Sequence, residues 1–435
     1  MRKNLFKKVL ALTLASTMAF SMAGCGSKGG SSDAKNDDGT ITLNVWHQWS
    51  NDTNELKSKY EEAVKAYEKE NSGVKIKTET LDTEAYKTKI NAEFAGDAKG
   101  IDVFYWWGAG TAKKLVDAGK VMALDDYVTD DVKSKILEGS TSAFEFDGKL
   151  YSVPMFSWYM TLFCNKTMFD KAGATLPTTY DELVDAVKKL KKLDGVTPMA
   201  AGAKDGWNAA FVYQALALRE VGATGVNEML SGKKEFGDEG FKKAAQKVSD
   251  LYEMGAFGDN PLEQGNDDAN AAFENGKAAM RLMGSWFANN VYTDDAATIK
   301  PEEVVALKIP TIADGKGEAT DYCGGFVESF WVNNNTKYKE EAAKFCIYIN
   351  EKMGVASYET GSGFSGWTTP ADESNLNPLF IQIKDLLAEG KQGVLAWDTS
   401  LESEPAAVHN EQVQTLFANG ADIDAFIDEH KAAIN

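Results

Sequence analysis

Ile41, Leu43 and Val45 alternate with polar residues, which predicts a strand over residues 41–46 with one buried face. A polar and aromatic stretch, Trp46-His47-Gln48-Trp49-Ser50-Asn51-Asp52, follows it. Leu56, Tyr60, Val64 and Tyr67 then recur at helical spacing and predict a long amphipathic helix. Val74, Ile76, Thr78 and Thr80 return to alternation, and a strand, helix and strand of this length form a parallel right-handed crossover. Residues 86–95 predict the next helix. Residues 101–105 predict a strand, apolar but for Asp102, that runs directly into Trp106-Trp107-Gly108-Ala109-Gly110. Residues 148–154 lead out of this first lobe.

Thr179-x-x-Glu182 is a capping box opening a helix whose Leu183, Val184, Val187 and Leu190 share one face. Trp207 to Phe211 start another helix after Gly206, and residues 241–252 form a third. The stretch that organises the chain is residues 271–290. Phe273 and Gly276-Lys277 mark a helix end, residues 278–283 are an apolar run of strand length, and Gly284-Ser285 free the backbone just before Trp286. Ligands of open α/β sheets bind beyond strand ends, so a ring placed there is a binding platform; the alternative for Trp286 is a core position. Residues 304–309 predict a strand and residues 310–317 a return to the first lobe. There residues 324–332 read as one strand and residues 336–350 as a helix; residues 379–387 and 423–434 are terminal helices.

The organising stretch resembles the F-x-x-G-x-x-A-M…G-x-W signature of the extracellular solute-binding proteins that serve ABC sugar importers, the family that includes maltose-binding protein. Leu162-Phe163-Cys164-Asn165-Lys166 is similar to that family's strand ending in Asn-Lys, and Leu176-Pro177-Thr178-Thr179-Tyr180-Asp181-Glu182-Leu183 to its proline-led helix start. Gly324-Gly325-Phe326 followed by Lys339-Glu340-Glu341-Ala342-Ala343-Lys344-Phe345 is similar to its Gly-Gly strand and Glu-Ala-Ala helix. The resemblance implies an α/β, two-lobe periplasmic-binding-protein-like fold of type II with three crossing segments. Residues 40–156 and 311–372 would form one lobe, residues 157–310 and 373–435 the other. It also implies a monomer that clasps a carbohydrate, an oligosaccharide, between its lobes and delivers it to ABC permease subunits. Trp158 and Trp207 stand where maltose-type members use carboxylates, departures that favour a flatter, more aromatic site; Asp398 beside Trp397 is a candidate to restore one, the alternative being a solvated loop acid.

The N-terminus fixes the compartment. Arg2, Lys3, Lys7 and Lys8 precede an apolar run from Val9 to Phe20 and then Ala23-Gly24-Cys25, the plan of a secretory signal too short to span a membrane. Its Ala-Gly-Cys ending resembles a bacterial lipobox, which implies that Cys25 is the lipidated residue anchoring the exported protein to the outer face of the cell membrane. The composition of residues 26–39, GSKGGSSDAKNDDG, predicts a flexible tether with a reach of about 20 Å. Removing the first 24 of the 435 residues takes four basic groups with it, moving the net charge from −19 to −23. The remaining 411 residues exceed what one core supports, so two lobes are expected. A chain this acidic has no basic stripe for nucleic acid, and a polyanionic ligand is disfavoured. Cys164, Cys323 and Cys346 are odd in number and lie in apolar runs, which implies no disulfide framework; one pair forming outside the cell is the alternative.

The chemistry lies in ten tryptophans. Nine, all but Trp331, lie in or beside loops or at helix starts, where a ring is free to pack on the C–H face of a sugar at low entropy cost. The expected ligand-binding set is Gln48, Trp49, Asp52, Trp106, Trp107, Trp158, Trp207, Asn208, Trp286 and Trp397, with amides and carboxylate serving the ligand hydroxyls. His47, His409 and His430 are far apart in sequence, with His430 read onto the polar face of the last helix, and suggest no metal triad. No P-loop, dinucleotide fingerprint, Gly-x-Ser-x-Gly or calcium loop stands in the required context, although Asp259-Asn260…Asn266-Asp267-Asp268 is acid-rich. No cofactor or metal is expected. The alternatives to a sugar-binding protein are a receptor for a non-sugar solute and a cell-surface glycosidase, which needs two opposed carboxylates.

Overall fold

In the computed structural model, which describes residues 39–51, 54–293 and 297–434, two α/β lobes each enclose a core. Cys25, Asp52 and all of the tether except Gly39 lie outside the described residues. In the first lobe β1 (Ile41–His47) pairs in parallel with β2 (Val74–Thr80) through the helix Glu55–Glu70, in register from Ile41 opposite Val74 to His47 opposite Thr80. On its other side lies β3 (Val103–Trp107), parallel, with Val45 opposite Val103. The side chain of Asn54 caps the first helix by accepting from the Leu56 amide, and Leu56, Tyr60, Ala63 and Tyr67 are its buried stripe.

A short hairpin of β4 (Glu145–Phe146) and β5 (Lys149–Leu150) precedes β6 (Phe156–Asn165), the central strand of the second lobe. Nine of its ten positions are buried, as a strand paired on both edges and covered on both faces requires. Around it are β7 (Thr197–Ala200), β8 (Ala278–Gly284), β9 (Val304–Leu307), β10 (Asp321–Phe326), β12 (Phe364–Ser365) and β13 (Gln392–Val394), with β8, β9, β10 and β12 all antiparallel to β6. The expected capping box is present: Thr179 accepts from the Glu182 amide while the Glu182 carboxylate accepts from Thr179. The helix Gly206–Leu230 crosses this lobe and carries Ser403–Thr415 and Glu239–Glu253 against it.

Residues 324–332, expected as one strand of the first lobe, are two strands in different sheets. Asp321–Phe326 pairs with β6 in the second lobe, Gly324 opposite Tyr159, and only β11 (Glu328–Val332) joins the first sheet, Phe330 opposite Tyr105. The chain therefore returns at Val327 and not at residue 311. The reason is the glycine pair. Gly324 and Gly325 adopt φ of 134° and 153°, and a Cβ on Gly324 would lie 2.0 Å from the Trp158 carbonyl oxygen, so the strand hugs β6 before it turns. The first sheet thus has the order β11-β3-β1-β2, and the carboxyl ends of β1 and β3 lie beside the start of antiparallel β11. The third passage is a segment: Tyr358 and Phe364 pack on the second core, Trp367 in the first, and Leu379 in the second.

A cleft of tryptophans and unpaired acceptors

That shared edge of β1, β3 and β11 faces the second lobe across a cleft of about 1210 Å³. Sites for small ligands commonly run to about 1,000 Å³, so there is room for more than one sugar ring. From the first lobe come Gln48 and Trp49 after β1, Trp106 and Trp107 at the end of β3, and Glu328 at the start of β11. From the second come Trp158, Trp207, Trp286 and Asp398.

The six cleft tryptophans divide by exposure. Trp49, Trp106 and Trp158 are nearly buried, whereas Trp107, Trp207 and Trp286 are partly exposed. Trp158 stacks on Phe211 at 5.4 Å and 27° and meets Trp286 edge to face at 5.0 Å and 81°. Gly284 is what lets the Trp286 ring fold back: a Cβ there would stand 2.0 Å from the indole. Trp107 donates its indole N–H to Glu328 at 3.1 Å, and Trp207 donates its own to Glu84 at 3.2 Å.

Two expected site residues are not in the cleft. Trp397 is 1% exposed, stacked on His409 at 4.9 Å and set against Tyr213 at 5.5 Å, because the short helix Trp397–Ser400 turns its first ring into the core of the second lobe. The same turn sends the next side chain, Asp398, to the cleft. Asn208 is likewise buried; its Oδ1 accepts from Arg281 at 2.9 Å and its amide donates to Asn266, so its polar capacity is spent on structure. Nor do the tryptophans avoid strands: Trp46, Trp106, Trp107 and Trp158 all lie within them, the last three because a strand end reaches the cleft without leaving the ladder, and Trp46 in the first core. His430 is fully buried against His409, not on a polar face. Asp267 and Asp268 of the acid-rich run belong to the first turn of the helix Asn266–Glu274, where Asp268 accepts from the Gly265 amide. The three cysteines are free and buried, with burial raising each thiol, Cys323 to about 12.

Glu328, Lys87, Glu84, Tyr105 and Asn410 join the cleft without having been singled out from the sequence. Only Glu328 carried a legible signal, a lone acid in the apolar run Phe326 to Val332. Burial raises its carboxyl to about 8; the charge of Lys87 pulls it down and that of Asp398 pushes it up. Burial raises Asp398 as well, again against Lys87. The helix Ala109–Asp117 holds Asp398 in position: Thr111 donates to the carbonyls of Asp398 and Thr399 at 3.3 and 3.4 Å. Gly110 permits that approach, since a Cβ there would lie 2.3 Å from the Ser400 and Leu401 carbonyl oxygens.

Among the described residues six buried side-chain polar atoms lack a hydrogen-bond partner, and five belong to residues of this cleft: Gln48 Oε1, Tyr105 OH, Glu328 Oε2, Asp398 Oδ1 and Asn410 Oδ1. Unpaired buried polar groups cost about 1–3 kcal/mol each, so their collection at one place marks it as built for a ligand. The sixth, His47 Nε2, lies behind Trp49, whose amide donates to His47 Nδ1 at 3.2 Å; burial lowers this imidazole to about 3.

Two α/β lobes around a cleft at strand ends, lined by rings and free acceptors, define a solute-binding protein. The chain belongs to the family of bacterial extracellular solute-binding proteins, whose family model matches residues 50–355. It is similar to a solved structure from a study of xylan utilization by the thermophilic bacterium Caldanaerobius polysaccharolyticus, with 36% identity, 91% of this chain and 100% of that chain covered, and a TM-score of 0.86. A chitin oligosaccharide binding protein shares the fold at a TM-score of 0.81 and 22% identity, over 90% of this chain and 98% of the other. The multiple sugar-binding protein of Streptococcus mutans is 24% identical over 81% of this chain and 80% of its own.

Proposed function

We propose that the protein captures a neutral oligosaccharide between its lobes and delivers it to the permease of an ABC importer, held at the outer face of the cell membrane by lipid on Cys25. The observation that carries this reading is the set of five unpaired polar atoms, both acceptors and O–H groups, among partly exposed tryptophans. A sugar brings the complement: an apolar C–H face for each indole and a ring of hydroxyls to donate. The relatives support the same class: one comes from a study of xylan utilization, one is a chitin oligosaccharide binding protein and one a multiple sugar-binding protein. Trp107, Trp207 and Trp286 are the stacking residues, with Trp158 backing Trp286, while Gln48, Asp398 and Asn410 accept from the ligand and Tyr105 and the protonated Glu328 donate to it.

A glycosidase reading draws on one observation, two carboxyls of raised pKa in one cleft. Glu328 is tied to Trp107, and the family model that matches the chain is one of solute-binding proteins, so binding without turnover is the better account. A thermal-shift panel of neutral xylo- and chitin-oligosaccharides tests it. A ligand at about 100 times its Kd adds about 2.7 kcal/mol and moves the midpoint visibly. A panel in which only charged solutes shift the midpoint would overturn the proposal.

A further inference from the structure

Lys87 lies on the helix Thr83–Ala95 with its ammonium 5.2 Å from the ring centre of Trp107 and 5.6 Å from that of Trp207, one ring from each lobe. Both distances fall within the roughly 6 Å over which a cation is drawn to an aromatic face. The two indoles are arranged alike. Each donates its N–H to an acidic side chain, Trp107 to the Glu328 carboxyl and Trp207 to the Glu84 carboxylate, and each turns its face to Lys87. Glu84 Oε1 also takes the ammonium itself, at 3.0 Å. Rings that converge on a cation with carboxylates at their edges are the chemistry that recognises alkylammonium ligands.

The rest of the cleft would favour a cationic solute too. Seven acidic side chains besides the protonated Glu328 line it against four lysines, and the chain carries a net charge of −19, which concentrates cations at its surface. An acidic, aromatic cleft of this kind selects a neutral ligand only if its cation locus is already taken.

We propose that Lys87 is a specificity-determining residue, an internal cation that occupies the ammonium locus between Trp107 and Trp207 and so excludes polyamines and amino sugars from the cleft. The proposal rests on the reading of the cleft as a site for neutral oligosaccharides and explains how that selectivity is maintained. Lys87→Met keeps the length of the stem and removes the charge; the locus is then open to an ammonium group from solution. Lys87→Arg keeps a cation that packs on indole faces and should keep the exclusion.

Isothermal titration of the unmodified protein, Lys87→Met and Lys87→Arg with spermidine and with a glucosamine trimer decides the matter, with xylotriose as the neutral arm. The expected result is a gain of at least about tenfold in affinity for the cationic probes in Lys87→Met and none in Lys87→Arg. Lys87 is partly exposed, so the substitution should leave the fold intact, and Lys87→Gln repeats the measurement with a different neutral side chain. Equal spermidine affinity in all of these proteins would overturn the role of Lys87. Failure of xylotriose and every other neutral sugar to bind the unmodified protein would overturn the functional reading instead, whatever the cationic arm shows.

Discussion

The indole N–H of Trp207 in the second lobe donates to Glu84 in the first at 3.2 Å, a direct bond across the cleft. Closure of a two-lobe receptor is a hinge motion whose closed state is held by ligand contacts and by such bonds. Glu84→Ala removes the acceptor while leaving both lobes' cores untouched. An exposed hydrogen bond of this kind contributes about 1 kcal/mol, so sugar affinity should fall about fivefold with the denaturant midpoint unchanged. Scattering should also show a larger radius of gyration in the liganded variant than in the liganded parent protein. Unchanged affinity would mean the bond does not contribute to closure.

Trp286 and Trp397 offer a paired test, because both were expected in the cleft and only one lines it. Trp286→Ala should cost 2 kcal/mol or more in binding, about thirtyfold in Kd, with a smaller loss of stability from its lost contact with Trp158. Trp397→Ala should do the reverse, lowering folding stability by about 3–5 kcal/mol. Chemical denaturation without ligand and titration with it separate the two. A large midpoint drop for Trp286→Ala with affinity retained would make that ring a core residue.

Glu328 makes stability depend on pH in a direction opposite to most carboxylates. Its folded pKa of about 8 lies above the unfolded value, so between about 4.5 and 8 the folded protein holds a proton that the unfolded chain releases. Stability therefore falls as pH rises through this window, by about 1.4 kcal/mol for each pH unit crossed. Glu328→Gln keeps a polar group beside Trp107 and removes the titration. The variant should match the parent near pH 4.5 and be a few kcal/mol more stable at pH 8, while binding sugar more weakly. Parallel stability curves would show that the buried acid does not titrate as described.

The buried histidine pair gives the opposite slope. The Phe426 carbonyl only accepts, so His430 carries its proton on Nδ1 and its Nε2 accepts from His409 Nδ1 at 2.9 Å; His409 Nε2 in turn accepts from Gln214 at 3.0 Å. Protonating either ring sets two donors face to face. Burial lowers both, His430 to about 4, so the unfolded chain binds protons first and stability is lost as pH falls from about 6.5 through 4. A His409→Gln/His430→Gln variant should show a visibly flatter decline over that window in urea denaturation. An identical slope would rule out the pair as its source.

Much of this architecture was legible in the chain because alternation and helical spacing report burial directly: the β1-helix-β2 unit, the capping box at Thr179 and the strand-glycine-Trp286 sequence lie where their patterns put them. What periodicity does not carry is which of two sheets a buried strand joins, hence the misplaced return at residues 321–326. Nor does it carry the direction of a side chain on a one-turn helix, hence Trp397 in the core and Asp398 in the cleft. Asn208 looked available because Arg281, seventy-three positions away, is invisible as its partner in sequence. The acids and Lys87 stayed hidden among many charged residues because only three-dimensional placement separates a cleft carboxylate from a solvated one.

The central claim is that unpaired polar groups on cleft residues await the hydroxyls of an intact neutral sugar. Equilibrium dialysis of the protein against a mixture of neutral oligosaccharides, with the retained ligand identified by mass spectrometry after days of incubation, tests it most directly. The account predicts one retained neutral oligosaccharide, recovered unhydrolysed at one per chain, and none retained by Trp286→Ala combined with Glu328→Ala. A retained charged solute, or a sugar recovered only as its hydrolysis products, would contradict it.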